Sequence, residues 1–296
     1  MNPYFVRPTA TTVEVWSGYR IQFGGFEKHE WQKSVKAELR QLFTASTIPA
    51  GVPFAGYYDT TNPTISDTEN SLFTNLRESM PKGISWLRFE HGTGSPPQPP
   101  VPIELVSGHL HYYRYEFGRQ WDTWEPDQTL ARWERVARRL AGDGSARPTW
   151  YALRDANAKA LVSLVKPNLD SRTNFGIRLT VHATKNGPRN AISCSEEIID
   201  GVIAAFHSDR YSEELFEAIL PKFPRVDADE LRTALLHQIG PLIATPAMQL
   251  TPNYIQISPA DERCRLGELI IRQDSSCSYP ELSGELFTVR PITDTA

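Results

Sequence analysis

Ile198, Val202 and Phe206, joined by Ile199 and Ile203, recur at the four-residue interval that lines up one face of a helix. Ser193 and Glu196 ahead of them have capping-box spacing, so the pattern predicts a packed helix with a defined start. The same device opens a second segment, where Ser66 and Glu69 precede Leu72, Phe73, Leu76 and Met80. The two serines are 127 positions apart in a chain of 296, and each predicted helix follows a stretch of strand composition. This constrains the chain to an α+β fold of two similar-sized halves, 1–117 and 118–296, each a small mixed sheet packed on amphipathic helices. An internal duplication is the expectation.

The remaining periodicities fill in that frame. In the first half, Val13–Trp16, Tyr19–Phe23, Val52–Tyr58, Ile84–Phe89 and His109–Phe117 have strand composition, and Trp31, Val35, Leu39 and Phe43 step by four along a surface helix. Gly92–Pro100 excludes regular structure and reads as an exposed loop of polyproline character. In the second half, Leu130, Trp133, Val136 and Leu140 predict a helix over Gln128–Ala141, the most basic element of the chain. A strand is expected at Trp150–Asp155 and a short helix at Ala156–Val165. Phe175–His182 alternates with Ile177, Leu179 and Val181 inward, and helices are expected at Ser212–Leu220 and Asp229–Ile239. Tyr254–Ile257 and Leu266–Ile271 form a terminal pair of strands, and the polar last ~20 residues wrap the surface or hang loose.

Charge and cysteine content narrow the function. With 31 basic and 35 acidic residues, the chain lacks the positive excess of a protein that binds phosphate backbones with its whole surface. No apolar run reaches the ~18 residues of a membrane span, and the first residues do not resemble a signal peptide, so a soluble, cytoplasmic protein is expected. Cys194, Cys264 and Cys277 lack C-x-x-C spacing and read as buried or idle thiols.

Chemistry has two candidate carriers. Glu196, Asp200 and His207 fall in one sector beside the apolar stripe, an arrangement fit for a metal or for acid–base work, although such an edge is more often a solvated helix border. His109 and His111 could chelate a metal from one strand, but a third ligand is missing and an aromatic sheet face explains them better. Walker, G-x-G-x-x-G, G-x-S-x-G and H-E-x-x-H signatures are absent.

The order strand, amphipathic helix, strand, followed by Asp67-Thr68-Glu69-Asn70 opening a second helix, resembles the RusA-type Holliday junction resolvases. Ile199-Asp200-Gly201 and His207-Ser208-Asp209 are similar to that family's further aspartates. The resemblance implies Mg2+ held by Asp67, Glu69, Asp200 and Asp209. The chain departs from the pattern by having Glu69 for an aspartate, by dividing its acids between two halves and by lacking a basic charge.

Two functions follow. One is a non-catalytic or weakly catalytic subunit of a bacterial-type multiprotein assembly, meeting a protein partner through Trp121, Trp124, Tyr113 and the proline-rich loop. The alternative is a magnesium-dependent nuclease-like enzyme acting on DNA or RNA, in which Arg132, Arg135, Arg138 and Arg139 hold the strand while Trp121 and Trp124 stack on bases.

Overall fold

The computed structural model describes residues 1–45, 48–49, 51–64, 67–140, 144–165, 169, 173–236, 242–243, 245–251 and 255–293. The first half contributes β1 (Tyr4–Pro8), β2 (Thr12–Ser17), α1 (Trp31–Ala45), β3 (Phe54–Thr60), β4 (Trp86–His91) and β5 (His111–Phe117). The second contributes β6 (Trp124–Ala137), α2 (Arg147–Ala158), β7 (Val162–Leu164), β8 (Phe175–Ala183), α3 (Ala191–Ala205), α4 (Glu213–Ile219), α5 (Ala228–Leu236), β9 (Met248–Leu250), β10 (Ile255–Ile257), β11 (Cys264–Gln273) and β12 (Glu281–Pro291). β9 and β10 form a separate ribbon. The other ten strands make one mixed sheet, in the order β1-β2-β5-β3-β4-β11-β8-β12-β6-β7. No helix among the described residues is long and apolar enough to cross a membrane.

The sheet order reads alike outward from its middle. β3 and β4 are parallel, as are β8 and β11; β5 pairs antiparallel with β3, as β12 does with β8; and β2 flanks β5 as β6 flanks β12. The two sets join where β4 and β11 run antiparallel, with Phe89 opposite Gly267 and Arg88 opposite Glu268. The halves therefore share one sheet.

Helices cover one face. α1 buries Val35, Leu39 and Phe43 as its four-residue stride requires. α3 buries Ile198, Ile199, Val202 and Ile203 and crosses α2 at Gly201, where a Cβ would stand 2.5 Å from the Ala146 carbonyl oxygen. The opposite face is charged: Glu116, Arg88, Glu268, Arg178, Glu285 and Arg132 lie in one cross-strand register row, interrupted only by Ala55. Neighbours along it make ion pairs, among them Arg178–Glu285 at 2.9 Å and Arg132–Glu285 at 3.1 Å. Opposite charges facing one another across strands stabilise pairing by a few tenths of a kcal/mol each, roughly 0.2–1 kcal/mol.

Several elements differ from the sequence pattern for definable reasons. The expected helix Gln128–Ala141 is not formed: its described residues, 128–140, belong largely to β6, whose register with β12 shifts three times, and Ala141 lies outside the described residues. Arg135, at φ 50°, sits in the irregularity between Trp133 and Val136, so a strand acquires the three-residue spacing of a helix. Trp150–Asp155 is helical within α2, where Pro148 stands in the first turn. Tyr19–Phe23 is not a strand, because side chains satisfy its backbone: Tyr113 Oη accepts from the Ile21 N–H at 3.1 Å and Gln32 Oε1 from the Gln22 N–H at 3.0 Å. Leu266–Ile271 does not pair with β10 but lies between β4 and β8, and the polar C-terminal stretch supplies β12, an inner strand. The α3 cap is Asn190, whose Oδ1 accepts from the Ile192 N–H, with Ser193 already inside the first turn.

Gly267 permits the junction of the halves, since a Cβ there would lie 1.9 Å from a Phe89 ring carbon. Gly267→Ala is expected to lower unfolding stability by about 1–3 kcal/mol through overpacking. Urea denaturation checks this, and an unchanged midpoint would mean that the seam is not packed as described.

Candidate functional site

Parallel strands β3 and β4 end at Thr60 and His91, and at this same pole β8 and β11 begin. The chain leaves β3 through Asp67 into a short helical segment that continues as a π-helical turn, Asn70–Thr74. Asp67 caps it: Oδ1 accepts from the Asn70 N–H at 3.2 Å and Oδ2 from the Asn70 side-chain amide at 2.6 Å. The predicted cap, Ser66, lies outside the described residues. From the second half, α3 brings Ser195, Glu196 and Asp200, and the turn before β11 brings Asp261 and Glu262.

Carboxyls from both halves feel one another here. Burial pushes Asp200 well above its usual range, and the charges of Asp261, Glu69, Asp67 and Glu196 all push the same way. Among the described residues its carboxyl has no hydrogen bond or ion pair. Burial likewise lifts Asp261 to about 7, with Asp67 and Glu262 adding to it and backbone N–H groups opposing. Glu69 is fully buried and lifted to about 8, chiefly by burial; Ser195 Oγ and Thr74 Oγ1 donate to it and partly offset the rise. The Cys264 thiol is pushed up by burial and by Asp261, Asp67 and Asp200. Such grouping of desolvated, mutually repelling acids is the physical signature of a site poised to take up a cation or a proton.

The cationic groups nearby are few. Arg20 stands 3.6 Å from Asp67, and Arg77 stands 3.3 Å from Glu196. Together with Asn70 they line a cleft of about 430 Å³, at whose rim Phe23 and Phe26 are exposed. His91, pushed down to about 3 by burial and Arg265, is a neutral anchor with Nδ1 3.0 Å from Thr68 Oγ1. His207 is another anchor: its Nε2 accepts from the Ala260 N–H and its Nδ1–H donates to the Thr245 carbonyl, which steadies the turn carrying Asp261.

Of the four sequence candidates, Asp67, Glu69 and Asp200 share this pole. Asp209 does not belong to the set. It is buried and spent on structure, with Oδ2 3.0 Å from Arg154 and Oδ1 accepting from the Ala247 and Met248 N–H groups. Asp261 went unrecognised; its only sequence signal is the acidic pair Asp261-Glu262 ahead of a strand. Among the described residues, no three His, Cys, Asp or Glu side chains are grouped closely enough to hold a metal ion unaided.

The basic and aromatic candidates lie elsewhere. Arg132 pairs with Glu285, Arg135 with Asp274 at 2.9 Å and Glu281 at 2.6 Å, and buried Arg138 with Glu197 at 3.3 Å; Arg139 is exposed. Trp121 and Trp124 are half-buried and donate their indole N–H groups to the Phe89 and His91 carbonyls. Tyr113 is buried. In the groove of about 670 Å³ that they line, Arg132, Arg178, Glu268 and Glu285 pair with one another.

No protein-family model, curated protein or solved structure matches the chain.

Two expectations follow from the electrostatics. Glu69 and Asp261 bind protons more tightly folded than unfolded, so their contribution is complete below the ordinary carboxyl range and is lost as pH rises through about 7 to 8. Buried neutral His91 and His111 act oppositely only below their ordinary 6.5. Stability is therefore expected to fall between about pH 6.5 and 8, by up to about 1.4 kcal/mol per pH unit for each such carboxyl. Glu69→Gln should flatten the fall; a urea midpoint that is level or rising across this window in the native protein would contradict the burial of these acids. Asp209→Asn, by contrast, leaves Arg154 short of its counter-charge and should cost about 3–5 kcal/mol without altering that pH profile.

Proposed function

We propose that the pole formed by Asp67, Asp200 and Asp261 is a magnesium-dependent catalytic site for phosphodiester hydrolysis, the nuclease-like alternative drawn from the sequence. The observation that carries it is Asp200: a half-buried carboxyl with no hydrogen bond or ion pair among the described residues, facing the charges of four other acids from both halves. Magnesium commonly takes one or two protein carboxylates and completes its shell with water and substrate phosphate oxygens, so a ready-made cage of three protein ligands is not required. In this reading Asp200 and Asp261 hold the ion, Asp67 orients the attacking water, and Arg20 and Arg77 meet the phosphate. Protonated Glu69 locks α3 to the first half through Ser195 rather than binding metal. Asp209 has no part in it.

We also infer that the chain arose by internal duplication, its halves divided between Phe117 and Gly118. The matching strand order on either side of the β4–β11 seam supports this, and it would make the pole the meeting place of a pseudo-dimer, in keeping with the RusA-type resemblance.

The second reading is a non-catalytic subunit that binds a protein partner. It is favoured by the absence, among the described residues, of any group of three side chains able to hold a metal. Trp121 and Trp124 serve it less well than their composition promised, because their N–H groups are engaged within the chain.

Thermal shift and calorimetry with Mg2+ and Mn2+ at mildly alkaline pH separate the two. At roughly a hundredfold excess over Kd, metal should stabilise the native protein by about 2.7 kcal/mol. Asp200→Asn and Asp261→Asn should each abolish that stabilisation along with cleavage of labelled single-stranded or branched DNA. Neither heat nor shift at millimolar metal would remove the catalytic reading.

A further inference from the structure

We infer that the cleft beside Asp67 binds one unpaired nucleotide of a single-stranded nucleic acid, its base against Phe23 and Phe26 and its phosphate on Arg20 and Arg77. This deepens the hydrolytic reading of the neighbouring carboxyls and rests on it for the role of the bound strand, but the recognition chemistry stands on separate residues.

Phe26 is 72% exposed and Phe23 45%, large apolar groups with no burial to justify them. Their ring centroids lie 6.4 Å apart with planes tilted by 41°. Both border the cleft, so the rim offers two aromatic surfaces beside a polar interior. Base stacking on such rings tolerates any base and is open only to a base whose faces are not already stacked in a duplex.

The interior has matching polar valences left over. Arg20 Nε, Arg77 Nε and Gln22 Oε1 are buried and, among the described residues, have no hydrogen-bond partner. The residues that carry them, Arg20, Gln22 and Arg77, all line the cleft. Leaving a buried guanidinium N–H unpaired is costly, and two such donors on separate elements match the several acceptor oxygens of one phosphate. The lone Gln22 acceptor complements an exocyclic amine or a ring N–H of a base. Asp67 and Glu196, paired to the same two arginines, keep the cleft near neutrality and disfavour loose attraction of any polyanion. Recognition thus depends on stacking and directed hydrogen bonds, and the phosphate so held would lie next to Asp67.

Fluorescence anisotropy of a labelled short single-stranded oligothymidylate tests this, in millimolar magnesium and again in EDTA. Competition with unlabelled thymidine monophosphate, inorganic phosphate and a blunt duplex sorts the ligand. Binding is expected to single strand, with thymidine monophosphate competing more weakly, inorganic phosphate weaker still and duplex poorest. The double variant Phe23→Ala/Phe26→Ala should weaken binding about tenfold or more, whereas Phe23→Tyr/Phe26→Tyr, which keeps both rings, should hold it within about threefold. Both variants alter exposed side chains, and an unchanged urea midpoint verifies that each is folded. Equal binding by native protein and the alanine variant, duplex binding as tight as single strand, or no binding in either condition would overturn the assignment. Because the alanine variant retains Asp200 and Asp261, its metal-induced thermal shift should be native. Strand binding that depends on Phe23 and Phe26 in a native protein without a metal-induced shift would leave this inference standing and end the hydrolytic one, whereas a metal-induced shift lost in Asp200→Asn, in a native protein that binds no strand, would do the reverse.

Discussion

The antiparallel junction of β4 and β11 is the constraint on which the rest of the molecule depends. It is held by backbone pairing over Trp86–Glu90, by Glu268 accepting from the Trp86 indole N–H at 2.9 Å and from Arg88, and by the close approach of Phe89 to Gly267. Through it, two five-stranded sets become one sheet. The same junction sets the end of β4 beside the start of β11, so Asp67, which follows β3, comes to face Asp261, which precedes β11. Sliding this pair by one residue would turn Arg88 and Phe89 to the wrong faces of the sheet and separate the acids.

A sheet with helices on one side only must make its other side compatible with water. Here that is done by a row of alternating charge, from Glu116 across to Arg132, whose members satisfy one another. The carboxyls at the pole are in the reverse situation. Asp200 and Asp261 have like charges for neighbours, and Glu69 is kept underground by two hydroxyl donors and a retained proton. Folding tolerates this because His91 and His207 hold the surrounding turns with neutral hydrogen bonds and Arg154 neutralises Asp209 nearby. The contrast between a charge-balanced face and a charge-crowded end separates scaffold from site in this protein.

Much of the scaffold could be read from periodicity. Trp31, Val35, Leu39 and Phe43, and the alternation Ile177, Leu179, Val181, mark their helix and strand without ambiguity because each has one buried side. β6 could not be read, since its shifted register near Arg135 removes the alternation that identifies strands. β12 was hidden because its charged and hydroxyl residues face the polar side of the sheet, where they imitate a surface tail. Of the four acids at issue, Asp200 was legible from its helix position, and Asp67 and Glu69 from the resemblance carried by Asp67-Thr68-Glu69-Asn70. Asp209 was misleading, because its ion pair with Arg154 crosses 55 positions of chain. Asp261 had no periodic or motif context at all; only pairing of β11 with β4 gives it meaning.

The central claim is that acids distant in sequence share one desolvated pole and raise one another's proton affinity. Carbon-detected NMR titration of the side-chain carboxyls, in the native protein and in Asp67→Asn, tests this most directly. Midpoints near 8 for Glu69 and near 7 for Asp261 are predicted, both falling when Asp67 is neutralised. Midpoints for both in the ordinary carboxylate range, indifferent to Asp67, would contradict it.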